Sequence, residues 1–227
     1  MTASDKTAPN KIKTDEFDHR STRRDFIFGE LHREDLREDP ALQLQEWLKA
    51  AEAAGNFDAT AMCLSTATKE GRPSARYVLL KHLDSRGLCF YTDSRSRKGQ
   101  ELAENPFAAL TFYWPEMDRQ VRVTGRIERL PDADNEDYFN QRPIGSRMAA
   151  AASLQSQPIE SRAALEARFS DIEARYPAGD VPRNPAWGGY RLLPDEWEFW
   201  QGRRSRLHDR FTYTPTSNGW QIQRLMP

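Results

Sequence analysis

The chain has 227 residues, 38% of them apolar and 30% charged, and its formal charge is −1 at pH 7. That length fits one domain with a real core, and 33 Lys and Arg against 34 Asp and Glu leave no global positive excess to hold nucleic acid by counterion release. No apolar run approaches the roughly 20 residues that span a bilayer, and Met1 to Arg24 lacks the apolar centre of a signal peptide, so a cytoplasmic protein without nucleic-acid or membrane partners is expected.

Residues 1–24 are polar and charged, the composition of a flexible N-terminal arm, and 25–227 are read as one domain. Ala41 to Ala54 places Leu44, Trp47, Leu48 and Ala51 on one helical face, with Gly55 as the left-handed stop. Four β-rich runs follow, Thr60 to Thr66, Ala75 to Leu83, Leu88 to Thr92 and Ala108 to Trp114, separated by Gly- and Pro-containing turns. Cys63 and Cys89 sit inside these apolar segments and read as small structural hydrophobes. Arg119 to Leu130 alternates, with Val121, Val123 and Ile127 on one face and Gln120, Arg122, Thr124 and Arg126 on the other.

A helical middle covers Asp132 to Asn140, Gly145 to Ser153 and Ser161 to Tyr176; the apolar stripe of the last, Leu165, Phe169, Ile172 and Tyr176, predicts packing on the sheet. Short strands close the chain: Gly189 to Leu193, Glu196 to Trp200, Arg210 to Tyr213 and Trp220 to Leu225, the last two joined through Ser217-Asn-Gly219. Many short antiparallel strands with helices grouped between them predict a mainly β, α+β architecture, a small barrel with α additions.

Several constellations carry chemistry. A helix starting near Ser94 or Ser96 and ending at Asn105-Pro106 holds Arg97 and Lys98 in its first turn, where the macrodipole disfavours cations; either an anion lies between them or they form a solvated surface pair. Arg76-Tyr-Val-Leu-Leu-Lys81 is a strand with a cation at each end, read as two ligand groups or as snorkelling strand-end charges. Tyr138 and Arg142 lie four residues apart at a helix end, with Ser146 beyond a Pro-Gly break, which makes a second anion pocket or ordinary helix-end capping. Gln155-Ser156 and Trp187-Gly-Gly189 say little alone. In Glu196 to Arg210, an extended 206–210 would point Arg206, His208 and Arg210 to one face, a surface suited to an anion or an electron-rich ring. No Walker loop, G-x-S-x-G elbow, H-E-x-x-H or paired Cys motif is present, and the four histidines are scattered, so no metal site is expected.

Taken together, Arg76-Tyr-Val-Leu-Leu-Lys81, Tyr91-Thr92, Ser96-Arg-Lys98, Arg119-Gln-Val-Arg-Val-Thr-Gly125, Tyr138-Phe139 with Arg142-Pro143, Trp187-Gly-Gly189, Glu198-Phe-Trp-Gln-Gly202 and Arg206-Leu-His-Asp-Arg-Phe211 resemble the pyridoxine (pyridoxamine) 5′-phosphate oxidase family over roughly residues 23–227. The resemblance implies a homodimeric split β-barrel with FMN at the subunit interface. It implies that Arg76, Tyr77, Val78, Leu79, Leu80, Lys81, Tyr91, Thr92, Arg97, Lys98 and Gln120 meet FMN from one subunit, and Gln155, Ser156, Trp187 and Arg210 from the other. By the same likeness Lys81, Tyr138, Arg142 and Ser146 hold a substrate phosphate, and Arg206, Leu207 and His208 cover the pyridine ring, with Arg206 and His208 as the catalytic pair that orients the ring and manages the proton. The implied reaction oxidises pyridoxamine or pyridoxine 5′-phosphate to pyridoxal 5′-phosphate with O2 as acceptor, releasing H2O2. Two departures stand out: Arg23-Arg-Asp-Phe26 replaces an Arg-Arg-x-Tyr lid motif, with Arg23 carried over as a substrate contact, and Ala151 and Leu154 replace a tryptophan and a lysine of some relatives. The competing readings are a flavin-binding split-barrel reductase or pyridoxal phosphate carrier without oxidase activity, and an RNA-binding protein.

Overall fold

A computed structural model describes residues 20–22 and 24–227; Arg23 and the arm residues 1–19 lie outside the described residues. Helix α1 (Pro40–Ala53) begins where the sequence supplies a cap, the Asp39 carboxylate accepting from Ala41 N–H at 2.8 Å with Pro40 at the first helical position. It buries Leu44, Trp47 and Ala51 against the sheet, where the Trp47 ring meets Phe199 edge-on at 5.2 Å.

The strands are β1 (Ala61–Ala67), β2 (Pro73–Leu79), β3 (His82–Asp84), β4 (Gly87–Asp93), β5 (Phe107–Trp114), β6 (Arg119–Arg129), β7 (Trp187–Gln201), β8 (Asp209–Thr216) and β9 (Gly219–Leu225). They form one antiparallel sheet in the order β2-β1-β5-β6-β7-β4-β3, with β8 and β9 added beside β7. Its inner face carries the core: Met62, Leu64, Leu110, Phe112, Val121, Val123, Trp197, Phe199 and Tyr213 are fully buried or nearly so. Helix α2 (Arg97–Glu104) follows β4, while α3 (Asp132–Gln141), α4 (Ile144–Ala152) and α5 (Arg162–Arg175) lie between β6 and β7. This is the mainly β, α+β half-barrel that the strand pattern predicts.

Four local expectations are corrected. The run Ala75 to Leu83 is two strands, because Leu80 N–H donates to Thr60 O beside β1 while Lys81 N–H donates to Cys89 O on β4, so the chain crosses between neighbours there. The runs beginning at Gly189 and Glu196 are one strand, β7, which tolerates Pro194 because the register slips by one residue opposite Thr124 and Gly125. Helix α5 buries no residue, so its stripe lies over α4 rather than on the sheet. Residues 206–210 are not one extended run: the chain makes a tight turn at Arg204–Arg206, with Ser205 at φ 56 and Arg206 at φ 64, and β8 begins only at Asp209. Cys89 is buried as expected, whereas Cys63 is half-buried on the outer face of β1.

Candidate functional site

The crossing at Leu80 and Lys81, the end of β4, the first turn of α2 and the corner between α3 and α4 surround a cavity of about 700 Å³. It is lined by Arg76, Tyr77, Val78, Leu79, Lys81, Tyr91, Thr92, Lys98, Tyr138, Arg142, Ser146, Gln155, Ser156 and Trp187, together with Gln141 and Pro143. Helix α3 reaches it because Asn135 is a buried clamp, its Oδ1 accepting from Gly189 N–H at 2.7 Å and its Nδ2 donating to Leu130 O at 3.1 Å. Tyr138, one turn later, then stacks on Tyr91 at 4.0 Å, and Trp187 extends the wall at 5.4 Å from Tyr91. A Cβ at Gly189 would come within 2.5 Å of Leu130 and 2.8 Å of the Tyr91 ring, and one at Gly188 within 2.9 Å of Asn135, which accounts for the glycine pair after Trp187.

Four cations line this cavity, Arg76, Lys81, Lys98 and Arg142, and no carboxylate does. Lys98 Nζ has only neutral partners: Thr92 Oγ1 at 3.2 Å, Ser96 Oγ at 3.3 Å and Gln155 Oε1 at 3.1 Å. Burial, then the nearby Arg76 charge, hold its ammonium below the usual lysine value. Arg142 lies over the Trp187 ring at 4.7 Å, and its Nη1 is buried with no hydrogen-bond partner among the described residues. Burial lowers its pKa and raises that of Tyr91 to about 12. Lys98 and Arg142, desolvated with no carboxylate bonded to them, form a site that an anion completes, while Arg76 stands 3.4 Å from Glu101, which does not line the cavity. Two anionic groups, one beside Lys98 and one beside Arg142, fit this donor set.

A second cluster lies on the other side of the sheet's outer face. Direct pairing puts Tyr113, Gln120, Trp200 and Arg210 in one row across β5, β6, β7 and β8. Phe26 stands edge-on to Trp200 at 5.6 Å and to His208 at 5.1 Å, with the Arg206 guanidinium 5.2 Å from its ring centre. The strap bearing Phe26 is tied down by Ile27 N–H to the fully buried Asp118 at 3.1 Å, an Arg24–Asp118 ion pair at 2.6 Å, and Leu31 N–H to Asp209 at 3.1 Å. The His208 Nδ1 accepts from Arg203 N–H at 3.0 Å. Leu207 is 71% exposed. All four non-glycine residues with left-handed backbone among the described residues fall in these two places: Ser156 in the cavity, and Asp118, Ser205 and Arg206 around the strap. Backbone held in that region concentrates at functional sites.

The structure therefore gathers Arg76, Tyr77, Val78, Leu79, Lys81, Tyr91, Thr92, Lys98, Tyr138, Arg142, Ser146, Gln155, Ser156 and Trp187 in one cavity of one chain. Leu80 turns into the core instead, and Arg97 pairs with Glu101 at 2.9 Å outside the cavity lining. Within one chain, Gln155, Ser156 and Trp187 stand with Lys98, whereas Gln120 stands with Arg210. Arg210 is held by Glu198 at 2.9 Å, and Arg203 binds Asp209 at 2.9 Å and Glu30 at 2.7 Å. Trp200 was missed in the sequence because an aromatic at a strand position reads as core; its only sequence signal is its place two residues beyond Glu198, on the face opposite Phe199.

Comparison with known proteins matches residues 46–176 to the family described as "Pyridoxamine 5'-phosphate oxidase" and residues 187–227 to "Pyridoxine 5'-phosphate oxidase C-terminal dimerisation region". A protein of Paraburkholderia phymatum named "Pyridoxine/pyridoxamine 5'-phosphate oxidase" is 50% identical over 206 residues, 90% of this chain and 97% of that one. One of Nostoc punctiforme with the same name is 47% identical, covering 90% of this chain and 96% of its own. Among solved structures, PhzG from Burkholderia lata in complex with tetrahydrophenazine-1-carboxylic acid is 35% identical with a TM-score of 0.81, covering 86% of this chain and 95% of that one. A pyridoxamine 5'-phosphate oxidase-related, FMN binding protein from Nostoc punctiforme shares the fold at 19% identity, with a TM-score of 0.64 over 80% of this chain and 97% of its own.

Proposed function

The chain belongs to the pyridoxamine 5'-phosphate oxidase family, and from that premise we propose that it is an FMN-dependent oxidase converting pyridoxamine or pyridoxine 5′-phosphate to pyridoxal 5′-phosphate. The observation that carries this reading is the set of four cations in an aromatic-walled cavity whose lining holds no carboxylate, Lys98 and Arg142 among them desolvated without an ion pair. They divide by position: Arg76 and Lys98, near the start of α2, suit the flavin phosphate, with Gln155 and Ser156 beside them. Lys81, Tyr138, Arg142 and Ser146, at the α3–α4 corner, suit the phosphate of the substrate.

FMN, when bound, supplies the acceptor for a hydride from the substrate C4′ carbon and passes the electrons to O2, giving H2O2. The protein's own part is position and charge. The cavity cations neutralise two phosphates, and the Tyr91, Tyr138 and Trp187 wall excludes water from one side. Arg206 and His208 lie in the other cluster, and we assign them to the substrate ring across a homodimer interface, with Gln120, Trp200 and Arg210 on the same contributed surface. The match to a dimerisation region supports that arrangement. No helix among the described residues is long and apolar enough to cross a membrane, and we place the reaction in the cytoplasm.

PhzG, solved with a tricyclic carboxylic acid, motivates a second reading, oxidation of a phosphate-free aromatic acid. Lys81, Tyr138, Arg142 and Ser146 favour the phosphate instead, since four donors suit a dianion with three oxygens better than a single carboxylate. Purified protein with a bound flavin spectrum, given pyridoxamine 5′-phosphate under air, is expected to take up O2 and form pyridoxal 5′-phosphate. A flavin-loaded protein that consumes no O2 would leave the reductase or carrier readings standing instead.

A further inference from the structure

Glu101 lies on α2, is 4% exposed and does not line the cavity. Its Oε2 accepts from Ser74 Oγ at 2.5 Å and from the Thr66 hydroxyl, and stands 3.4 Å from Arg76 Nη2, while Oε1 accepts from Arg97 Nε at 2.9 Å. The same two hydroxyls also meet Arg76, Thr66 Oγ1 accepting from Nη1 at 2.6 Å and Ser74 Oγ from Nη2. Leu64 O accepts from Nη1 at 3.1 Å. A hydroxyl has one proton to give. A carboxylate that claims the protons of both Thr66 and Ser74 turns their lone pairs toward the guanidinium, so the polarity of the whole ring of contacts follows from Glu101.

We propose that Glu101 is a positioning residue for anion recognition: acting through Thr66 and Ser74, it fixes the Arg76 guanidinium in the orientation that meets the flavin phosphate. This rests on the flavin reading given above. The hydrogen bonds from Ser74, Thr66 and Arg97, with the charge of Arg76, hold the carboxyl down to about 2 against the effect of burial, so it is ionised throughout the neutral range. The sign of its effect separates positioning from plain electrostatics. A negative charge near an anion site weakens binding by repulsion, whereas orienting Arg76 strengthens it.

The test uses the full-length apoprotein, with FMN and riboflavin binding followed by quenching of flavin fluorescence, riboflavin being the probe that lacks the phosphate. Glu101→Ala is expected to raise the Kd for FMN about tenfold and to leave that for riboflavin nearly unchanged. Glu101→Gln, which keeps an acceptor oxygen, recovers most of the loss, and Glu101→Ala adds little in an Arg76→Lys background. Tighter or unchanged FMN binding by Glu101→Ala, an equal loss of riboflavin, or full additivity with Arg76→Lys overturns the proposal. Should Glu101→Ala fail to fold, Glu101→Asp, which withdraws the charge by one methylene, takes its place with the same expected selective loss. A wild-type protein that does not bind FMN defeats the flavin reading itself, whereas an FMN-binding wild type with an unaffected variant defeats only the role of Glu101.

Discussion

At His208 the main-chain N–H of Arg203 occupies Nδ1 at 3.0 Å, so the neutral ring carries its proton on Nε2. Burial, then the Arg206 charge, hold the ring's pKa below the ordinary value against the opposing pull of Asp118 and Asp209. At neutral pH His208 is therefore a hydrogen-bond donor at Nε2 rather than a proton acceptor, which narrows the catalytic role expected from the sequence. His208→Gln, whose amide N–H reaches toward the Nε2 position, should retain more turnover than His208→Asn, which should lose roughly 10- to 100-fold in kcat. The pH profile has a definite sign. A depressed folded pKa means that this contribution to stability is complete above the unfolded value of roughly 6.5 and is lost as pH falls from there through the lower folded value, where turnover falls too. Ring 15N shifts across the same range check the tautomer independently; a proton on Nδ1 at pH 8 would refute the assignment. Such detail was not legible in the sequence. Arg206 and His208 stood out in the sequence as candidates, but Arg206's φ of 64 and the bond from Arg203 depend on a turn that alternation alone reads as strand.

At the scale of elements, β7 is the spine of the sheet: its first half pairs β4, its second half pairs β8, and β6 runs along almost its whole length. The register slip between these halves depends on Gly125, where an added Cβ would collide with Leu193 O, a main-chain atom that has nowhere to go. Gly125→Ala should therefore cost about 1–3 kcal/mol of stability, read as a lowered midpoint in urea with an unchanged slope. A midpoint at the wild-type value would show that the bulge relaxes freely. The alternation of β6 and the periodicity of α1 were legible because one face of each meets the core. The break after Leu79 was not, since Arg76 to Lys81 is apolar enough to read as a continuous strand and only the partners of Leu80 and Lys81 end it. Nor was the exposure of α5, whose stripe is real but is spent on α4.

Across the whole molecule, the proposed site is in two halves: Arg142 and Lys98 in the cavity, Arg206 and His208 beside the strap. If two copies complete one another, an Arg142→Met chain and an Arg206→Ala chain, each inactive alone, form a heterodimer with one intact site and one doubly damaged site. Random assortment under two-fold symmetry should then restore about a quarter of wild-type activity on mixing and refolding. A mixture as inactive as its components would mean that each chain builds its site alone. The likeness of motifs supplied candidate residues, but not which of them one chain brings into a single cavity, because Gln155 and Trp187 lie far in sequence from Lys98 and reach it only through the fold. The crossing at Leu80 and Lys81 bears on how such a protein can diverge. The cavity wall from Arg76 to Lys81 is anchored by main-chain bonds to Thr60, beside β1, and to Cys89 on β4, so a one-residue insertion there cannot widen it without parting the sheet. Descendants that take up bulkier molecules must remodel the opposite wall, at Pro143 to Ser146 and Gln155 to Ser156, where loop and helix start can change length while the strands keep their register.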